Sequence, residues 1–146
     1  MTSRSFARLI GIVFLAVGVL GFVPGLKSPA PLWAPHLAAD GEYGLLLGLF
    51  PVNWIHNLVH LIIGIAAWRA SNTMSDARKF ARGLAIMYGG LAVMGLIPGL
   101  NSTFGLIPLF GLDVWLHAAT AAIAAYFGFG LQAEKMEIRE RYKRAA

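Results

Sequence analysis

Residues 6–24 read FARLIGIVFLAVGVLGFVP, and residues 80–98 read FARGLAIMYGGLAVMGLIP. Both segments begin with Phe-Ala-Arg, end in proline and are apolar in between, so the second repeats the first at an offset of 74 residues. Each has the roughly 20 residues that an α-helix needs to cross a bilayer. Because the first segment has a full-length counterpart, it is predicted to be a retained membrane span and not a cleaved signal peptide.

A second pair of segments repeats at an offset of 61 residues. Trp54-Ile55-His56 matches Trp115-Leu116-His117, and an apolar run follows each triplet. Apolar length predicts four helices, at about residues 6–24, 52–68, 79–98 and 113–131. We therefore predict an all-α, integral membrane four-helix bundle built from a duplicated helix pair. Because the two units have the same orientation, their pseudo-two-fold axis should run along the membrane normal.

The composition is typical of a membrane protein. Hydrophobic residues make up 58% of the chain and charged residues 13%, whereas a soluble domain carries roughly 25% charged residues. The absence of cysteine excludes disulfides, iron–sulfur clusters and thiolate metal sites. The sequence has no glycine-rich phosphate loop, nucleophile elbow or pair of carboxylates within a span, so it favours a protein that is not an enzyme.

The basic residues alternate between the two sides of the predicted membrane. Of the 12 Lys and Arg residues, only Lys27 lies in the loops that follow the first and third spans. By the positive-inside rule, both termini and the central loop are predicted to be cytoplasmic. The net charge of +5 then reflects topology and contact with anionic lipids, and we expect no binding of nucleic acid.

These spans divide the chain into a transmembrane domain, residues 1–131, and a charged tail, residues 132–146. The domain consists of two halves, about residues 6–68 and 80–131. In the tail, acids and bases alternate at spacings that place them on one helical face. The tail is therefore predicted to be a solvated cytoplasmic continuation of the fourth helix.

Prolines and short polar residues mark the predicted helix ends. Pro24-Gly25 and Pro98-Gly99 should end the first and third helices, because proline cannot continue the hydrogen-bond ladder. Asn53 and Asp113 should cap the N-termini of the second and fourth helices, because their side chains can accept from free N–H groups.

Two apolar stretches, residues 43–50 and 104–112, precede the second and fourth helices and are too short to span. They are predicted to be interfacial or re-entrant half-helices, or else simple extensions of the next helix, broken at Pro51. The proline-rich segment 27–36 should form an extended cap on the outer face, with Trp33 at headgroup level.

All four histidines lie in the predicted outer half of the membrane or outside it: His36, His56, His60 and His117. At helical spacing, Asn53, His56 and His60 form one stripe. Asp113 and His117 begin another on the fourth helix. Ionisable groups are costly in hydrocarbon, so both stripes should face the bundle interior. The repeat then sets His56 opposite His117, with His60 about one turn deeper.

Two interpretations of these stripes remain open. In the first, the histidines hydrogen-bond neighbouring helices or the outer loops and so hold the bundle together. Their polar partners would be Asn53, Asn57, Asp113 and Thr120.

In the second interpretation, the histidines bind a cofactor. His56 and His117 would be the axial ligands of haem b or another tetrapyrrole. Room for the macrocycle would come from three small residues, Gly64, Ala124 and Gly128. Alternatively, a Zn or Cu ion would be held by nitrogen and oxygen ligands. Those ligands would be His56, His60 and His117, with Asp113 or His36 beside them.

The fourth helix is rich in alanine, at positions Ala118, Ala119, Ala121, Ala122, Ala124 and Ala125. Lipid contact does not require so many small residues, whereas close packing of helices does. We therefore expect a homo-oligomer or an accessory subunit of a larger membrane complex. This non-catalytic role is the first interpretation of function, and a histidine-ligated electron-transfer protein near the outer membrane face is the alternative.

The run GLFPVNWIHNLVHL at residues 48–61, followed by Gly64 and later by Trp115-Leu116-His117, resembles the bacterial four-span proteins of the DUF4383 family. The resemblance covers about residues 6–130. It implies a small four-helix protein of the bacterial inner membrane with no defined reaction or substrate. It also assigns the histidine motif of the family to His56, His60 and His117.

Overall fold

The computed structural model describes residues 1–145, and for residues 131–133 it describes the backbone alone. Within that range the chain is mostly helical, as predicted, with 63% of residues in helices. The α-helices are α1 (Ser3–Leu20), α2 (Trp54–Ala70), α3 (Met74–Gly95), α4 (Leu112–Phe129) and α5 (Leu131–Ala145). A short 3-10 turn, Pro24–Leu26, follows α1.

The prediction of an all-α chain is wrong in one respect, because a small antiparallel sheet lies between α1 and α2 in the chain. Its strands are β1 (Lys27–Ser28), β2 (Gly44–Leu46) and β3 (Phe50–Val52), in the order β1-β2-β3. Lys27 of β1 pairs with Leu46 of β2. Between β2 and β3 the chain turns through Leu47 and Gly48, which both have positive φ. A positive φ is readily adopted by glycine, so Gly48 suits the turn that joins β2 to β3 in a hairpin.

The half-helices predicted for residues 43–50 and 104–112 are wrong. The first stretch forms β2 and the β2–β3 turn, and Pro51 lies opposite Leu45 on the edge strand, a position in a sheet that tolerates proline. The same strand rules out the predicted extension of the second helix. Four residues in or next to the second stretch have positive φ, which an α-helix does not contain: Thr103, Phe104, Gly105 and Gly111.

Asn53 caps α2 as predicted, since its side-chain oxygen accepts a hydrogen bond from the N–H of His56 at 2.9 Å. Asp113 does not cap α4, so that prediction is wrong. The helix begins at Leu112 after Gly111, whose φ of 65° suits glycine and stops the helix from starting earlier. The Asp113 carboxylate lies inside the first turn and is left for another contact.

The remaining helix ends differ slightly from those predicted. α1 ends at Leu20 and α3 at Gly95, each before the expected proline. The tail is a separate helix and not a continuation of α4, because Gly130 has an extended backbone (φ −61°, ψ 140°) between α4 and α5. Ala146, the last residue of the predicted tail, lies outside the described residues.

Glycines allow the helices to pack closely in two pairs, α1 with α2 and α3 with α4. A Cβ atom added at Gly11 would lie 3.1 Å from the carbonyl oxygen of Gly64, and one at Gly18 would lie 2.9 Å from that of Asn57. From the first contact to the second, the residue number rises along α1 and falls along α2, so the two helices are antiparallel. Small residues at such crossings bring backbones together, as is common in membrane helices.

A cluster of buried side chains from α1, α3 and α4 forms the core: Phe6, Phe14, Ala81, Leu84, Ala85, Tyr88, Ala124 and Phe127. Two of these helices, α1 and α4, are each long and apolar enough to cross a membrane. The fold is thus mostly helical, with two helices whose length and composition suggest association with a membrane.

Candidate functional site

His56 of α2 and His117 of α4 face each other in the interior. Their ring centroids are 6.3 Å apart, and the two residues are 4% and 3% exposed. Asn53 and Asp113, which begin the two predicted polar stripes, are buried as well. The polar residues at the start of both stripes are thus buried in the protein.

Backbone carbonyl groups orient both imidazole rings. Nδ1 of His56 lies 3.1 Å from the carbonyl oxygen of Pro51, and Nδ1 of His117 lies 2.7 Å from that of Asp113. A carbonyl oxygen can only accept, so each Nδ1 carries the proton and donates it. In the neutral ring this leaves the Nε2 lone pair free. Histidines that ligate metals are oriented by the same type of hydrogen bond.

Asp113 completes the site with a buried carboxylate. Its Oδ2 lies 3.2 Å from Nδ1 of His117, and it has no hydrogen-bond partner of acceptable geometry among the described residues. One ligand atom from each of His56, Asp113 and His117 can be chosen so that all three lie within 4.8 Å of one another. The structure therefore groups Asp113, and not His60, with the facing histidines.

Aromatic rings enclose this group. The His60 ring centroid lies 4.5 Å from that of His56, and the Tyr88 centroid lies 4.7 Å from that of His117. Phe14 stacks on Tyr88 at 5.6 Å and lies 5.3 Å from His60. Phe14 and Tyr88 were not among the predicted site residues, although the 74-residue repeat relates one to the other and could have identified them.

The other predicted site residues have different positions. The Asn53 side chain donates to the carbonyl oxygens of Ala39 and Leu106, at 2.7 and 2.6 Å, and so connects two loops to the N-terminus of α2. Asn57 is fully buried, and its side chain makes no hydrogen bond within the described part of the chain. Thr120 is half-buried, and His36 is exposed and outside the group.

The residues around the histidines do not fit a haem. Gly64 was predicted to leave room for the macrocycle, but α1 occupies the space beside it, since an added Cβ would lie 2.8 Å from Leu15. The backbone of Arg82 occupies the space beside Gly128 in the same way, and Ala124 is fully buried in the core. These small residues serve helix packing. One face of the His117 ring lies against Tyr88, and His60 packs against His56.

A single metal ion fits better. Ligand atoms at ~2.0–2.1 Å around a tetrahedral Zn²⁺ are about 3.4 Å apart, so side-chain movements of about 1 Å would close this group on an ion. Two imidazole nitrogens and one carboxylate oxygen are donors that suit Zn²⁺ and Cu²⁺. Three protein ligands also leave a fourth position open, and all three residues line a cavity of about 210 Å³.

The comparisons with known proteins agree with the resemblance noted in the sequence. The model of the family described as "Domain of unknown function (DUF4383)" matches residues 4–130. Neither a curated protein nor a solved structure matches the chain. Because the family model covers most of the chain, including both helix pairs and the whole histidine group, the protein belongs to the DUF4383 family.

Proposed function

We propose that this protein is a four-span membrane protein that binds one transition-metal ion in the outer half of its helix bundle. His56 and His117 supply nitrogen ligands, and Asp113 supplies an oxygen ligand. The observation that carries the proposal is the convergence of these three buried side chains, with ligand atoms within 4.8 Å, although the chain contributes them from two helices.

Exposed apolar side chains support four spans rather than two. α2 has 17 residues and presents Leu58, Ile62 and Ile65 outward, with exposed Trp54 and Trp68 near its two ends. Tryptophan is enriched at both membrane interfaces, so this pattern fits a helix that crosses the bilayer. An aqueous environment would leave these large side chains in contact with water.

α3 is also consistent with a span. Its charged residues all lie between Asp76 and Arg82, near its N-terminus, and the remainder up to Gly95 has no charge. Ile86 and Val93 are exposed on that remainder. In the proposed topology the charged turn of α3 lies at the cytoplasmic surface, next to α5.

Contacts between repeat partners support the duplicated helix pair. The 74-residue offset relates Phe14 to Tyr88, and these two rings stack at 5.6 Å. The 61-residue offset relates His56 to His117, which also face each other. Two residues that are related by a two-fold axis can contact each other only if both lie close to that axis. The proposed axis along the membrane normal therefore passes close to the metal ligands.

Burial of the ligands favours a cation. Asp113 is 3% exposed, and an ionised carboxylate at such a position is costly unless a positive charge compensates for it. A divalent ion supplies that charge, and each neutral imidazole offers it a nitrogen lone pair.

The test is metal binding by purified protein in lipid nanodiscs. Titration with Co²⁺, as a visible probe for a Zn²⁺-type site, should show one tightly bound equivalent. His56→Ala and His117→Ala should each abolish it, while the control His36→Ala should bind normally. If the wild-type protein binds no more Co²⁺ than a His56→Ala/His117→Ala double variant, the metal proposal is wrong.

Topology has a separate test. The proposal places the N-terminus, the α2–α3 loop and the C-terminus in the cytoplasm of a bacterial cell. A reporter fused after Ala146 should be active only in its cytoplasmic form. A reporter active in the periplasm would contradict the proposed orientation.

A role in a larger assembly is the second candidate function. Ala119 and Ala122 of α4 are exposed, next to half-buried Ala118 and Ala121. This surface of small side chains can receive another helix at close range, either of a second copy or of a different membrane subunit. Native mass spectrometry from mild detergent should detect that complex, and a monomer as the sole species would argue against it.

A further inference from the structure

The cavity beside the metal ligands opens sideways, between α1 and α4. α1 packs mainly against α2 and α4 mainly against α3, whereas α1 and α4 meet at only a few residues. The resulting crevice has a volume of about 210 Å³. Val13 and Val17 of α1 line one wall and Leu116 of α4 lines the other, and the rim residues Val13 and Leu116 are 43% and 48% exposed. In the proposed topology this opening faces lipid.

The crevice that the repeat relates to this one, between α2 and α3, is nearly filled. It encloses only about 40 Å³ next to the same two histidines. The 74-residue offset replaces Val13 and Val17 by Met87 and Leu91, and both larger side chains line the smaller cavity. The larger side chains of Met87 and Leu91 therefore help to fill the α2–α3 crevice, whereas the smaller valines leave space in the α1–α4 crevice.

The inner end of the open crevice suits an aromatic ring. Phe14, Tyr88 and His117 present nearly parallel rings, with angles of 15° and 24° between successive planes. A dry cavity of about 150 Å³ is enough to bind benzene, so the volume here accommodates one substituted ring.

The same end offers a polar contact. The buried Oδ2 of Asp113 has no hydrogen-bond partner of acceptable geometry in the described chain, and Asp113 lines the cavity. A hydroxyl group of a ligand can donate a hydrogen bond to this carboxylate. Entry through hydrocarbon requires an uncharged molecule, and the outer part of the crevice is apolar, so an alkyl tail can lie along α1 and α4.

We propose that the α1–α4 crevice binds an alkylated phenol or hydroquinone from the membrane, with its hydroxyl oxygen directed to Asp113 and the two facing histidines. The head-group contact rests on the proposed metal site. The lateral opening and the aromatic walls do not depend on it.

The experiment measures saturable binding of isotope-labelled 4-nonylphenol to nanodisc-embedded protein, with empty nanodiscs as background. Wild-type protein should bind about one equivalent, and the ligand should change the visible absorption of bound Co²⁺. Val13→Met/Val17→Leu copies the closed crevice into the open one. It should weaken nonylphenol binding about tenfold or more while Co²⁺ binding stays normal.

Ile12→Met/Val19→Leu is the matched control, because these exposed residues lie elsewhere on α1, and it should bind like the wild type. If the Val13/Val17 variant does not fold, Thr120→Met, which places a larger side chain on the α4 wall of the crevice, should also weaken binding.

The outcomes separate the two proposals. Normal Co²⁺ binding without saturable nonylphenol binding would overturn the crevice proposal and leave the metal site intact. Nonylphenol binding without Co²⁺ binding would overturn the metal site and support the crevice. Equal binding of 1-nonanol, which has the tail but no ring, would overturn the choice of an aromatic head group.

Discussion

Replacing Arg78 with methionine should release α5 from the rest of the protein, whereas the same replacement at Arg141 should not. Both arginines pair with the carboxylate of Glu137. Arg78 donates to it from within the protein at 3.0 Å, and the Arg78 side chain is 9% exposed. Arg141 donates to it at 2.7 Å from the surface, with 70% of its side chain exposed.

The magnitude follows from this difference in burial. Arg78→Met removes a hydrogen bond between charged groups at a largely buried position, which contributes about 1.5–3 kcal/mol, while Glu137 keeps its contact with Arg141. A surface ion pair contributes only about 0–1 kcal/mol. The two variants should therefore differ by about 1–2 kcal/mol, or about 5- to 30-fold in the equilibrium between docked and released α5. Arg78 also lies 3.6 Å from the carboxylate of Glu134 in α5, a pair that the variant loses as well. The carbonyl oxygen of Gly128, to which Arg78 donates, still accepts a hydrogen bond from Arg82.

Hydrogen exchange of the α5 backbone amides, measured by mass spectrometry in nanodiscs, reports this equilibrium. Arg78→Met should speed exchange across α5 and leave the inner turns of α1 to α4 protected. Arg141→Met should exchange within about fivefold of the wild type. If the two variants exchange equally fast, burial of Arg78 does not determine the docking of α5, and the reasoning is wrong.

Three further predictions concern pH and packing. Burial raises the pKa of Glu137, but hydrogen bonds from Arg78, Arg141 and Ser75 outweigh it, so the pKa lies below its ordinary value of 4.5. Because the folded pKa is the lower one, the docking energy should be complete above pH 4.5 and be lost as the pH falls through the folded value. A fluorophore on a single cysteine at exposed position 142 should show this release, and Glu137→Gln should remove the pH dependence. Gly18→Ala should lower thermal stability by about 1–3 kcal/mol through overpacking against α2, while Gly90→Ala, at an open position in α3, should be neutral or stabilising. Asn53→Ala should cost about 2–4 kcal/mol, because it removes a helix cap and two hydrogen bonds to loop carbonyls; a melting temperature unchanged from wild type would contradict this.

The sequence by itself determined the features that depend on short-range periodicity. Apolar runs of helical length located α1 to α4 within a few residues, and the spacing of Asn53, His56 and His60 predicted a buried polar stripe. The cap formed by Asn53 was also predictable, because a cap needs only a residue and the N–H group three positions later. The two offsets, 74 and 61, predicted that His56 would face His117.

Only the tertiary structure decided which groups complete the site. His60 was predicted as a ligand because it shares a helical face with His56. The convergence of Asp113 with His56 was not predictable in that way, because Asp113 and His117 lie on adjacent turns of another helix, which packing brings to His56. The position of Asp113 depended in turn on Gly111, whose positive φ fixed the start of α4. Such a choice depends on backbone geometry across two elements, and neither periodicity nor spacing contains it.

The sheet and the docked tail were unpredictable for the same reason. Residues 43–50 are apolar in a pattern that suits a half-helix or a strand equally, and pairing with β1 and β3 decided for the strand. The charges of α5 suggested a solvated helix, yet Arg78, 59 residues away in the chain, holds Glu137 at a half-buried position. Local pattern determines which helices form, whereas contacts between distant residues determine which side chains meet, because those contacts exist only after the chain has folded.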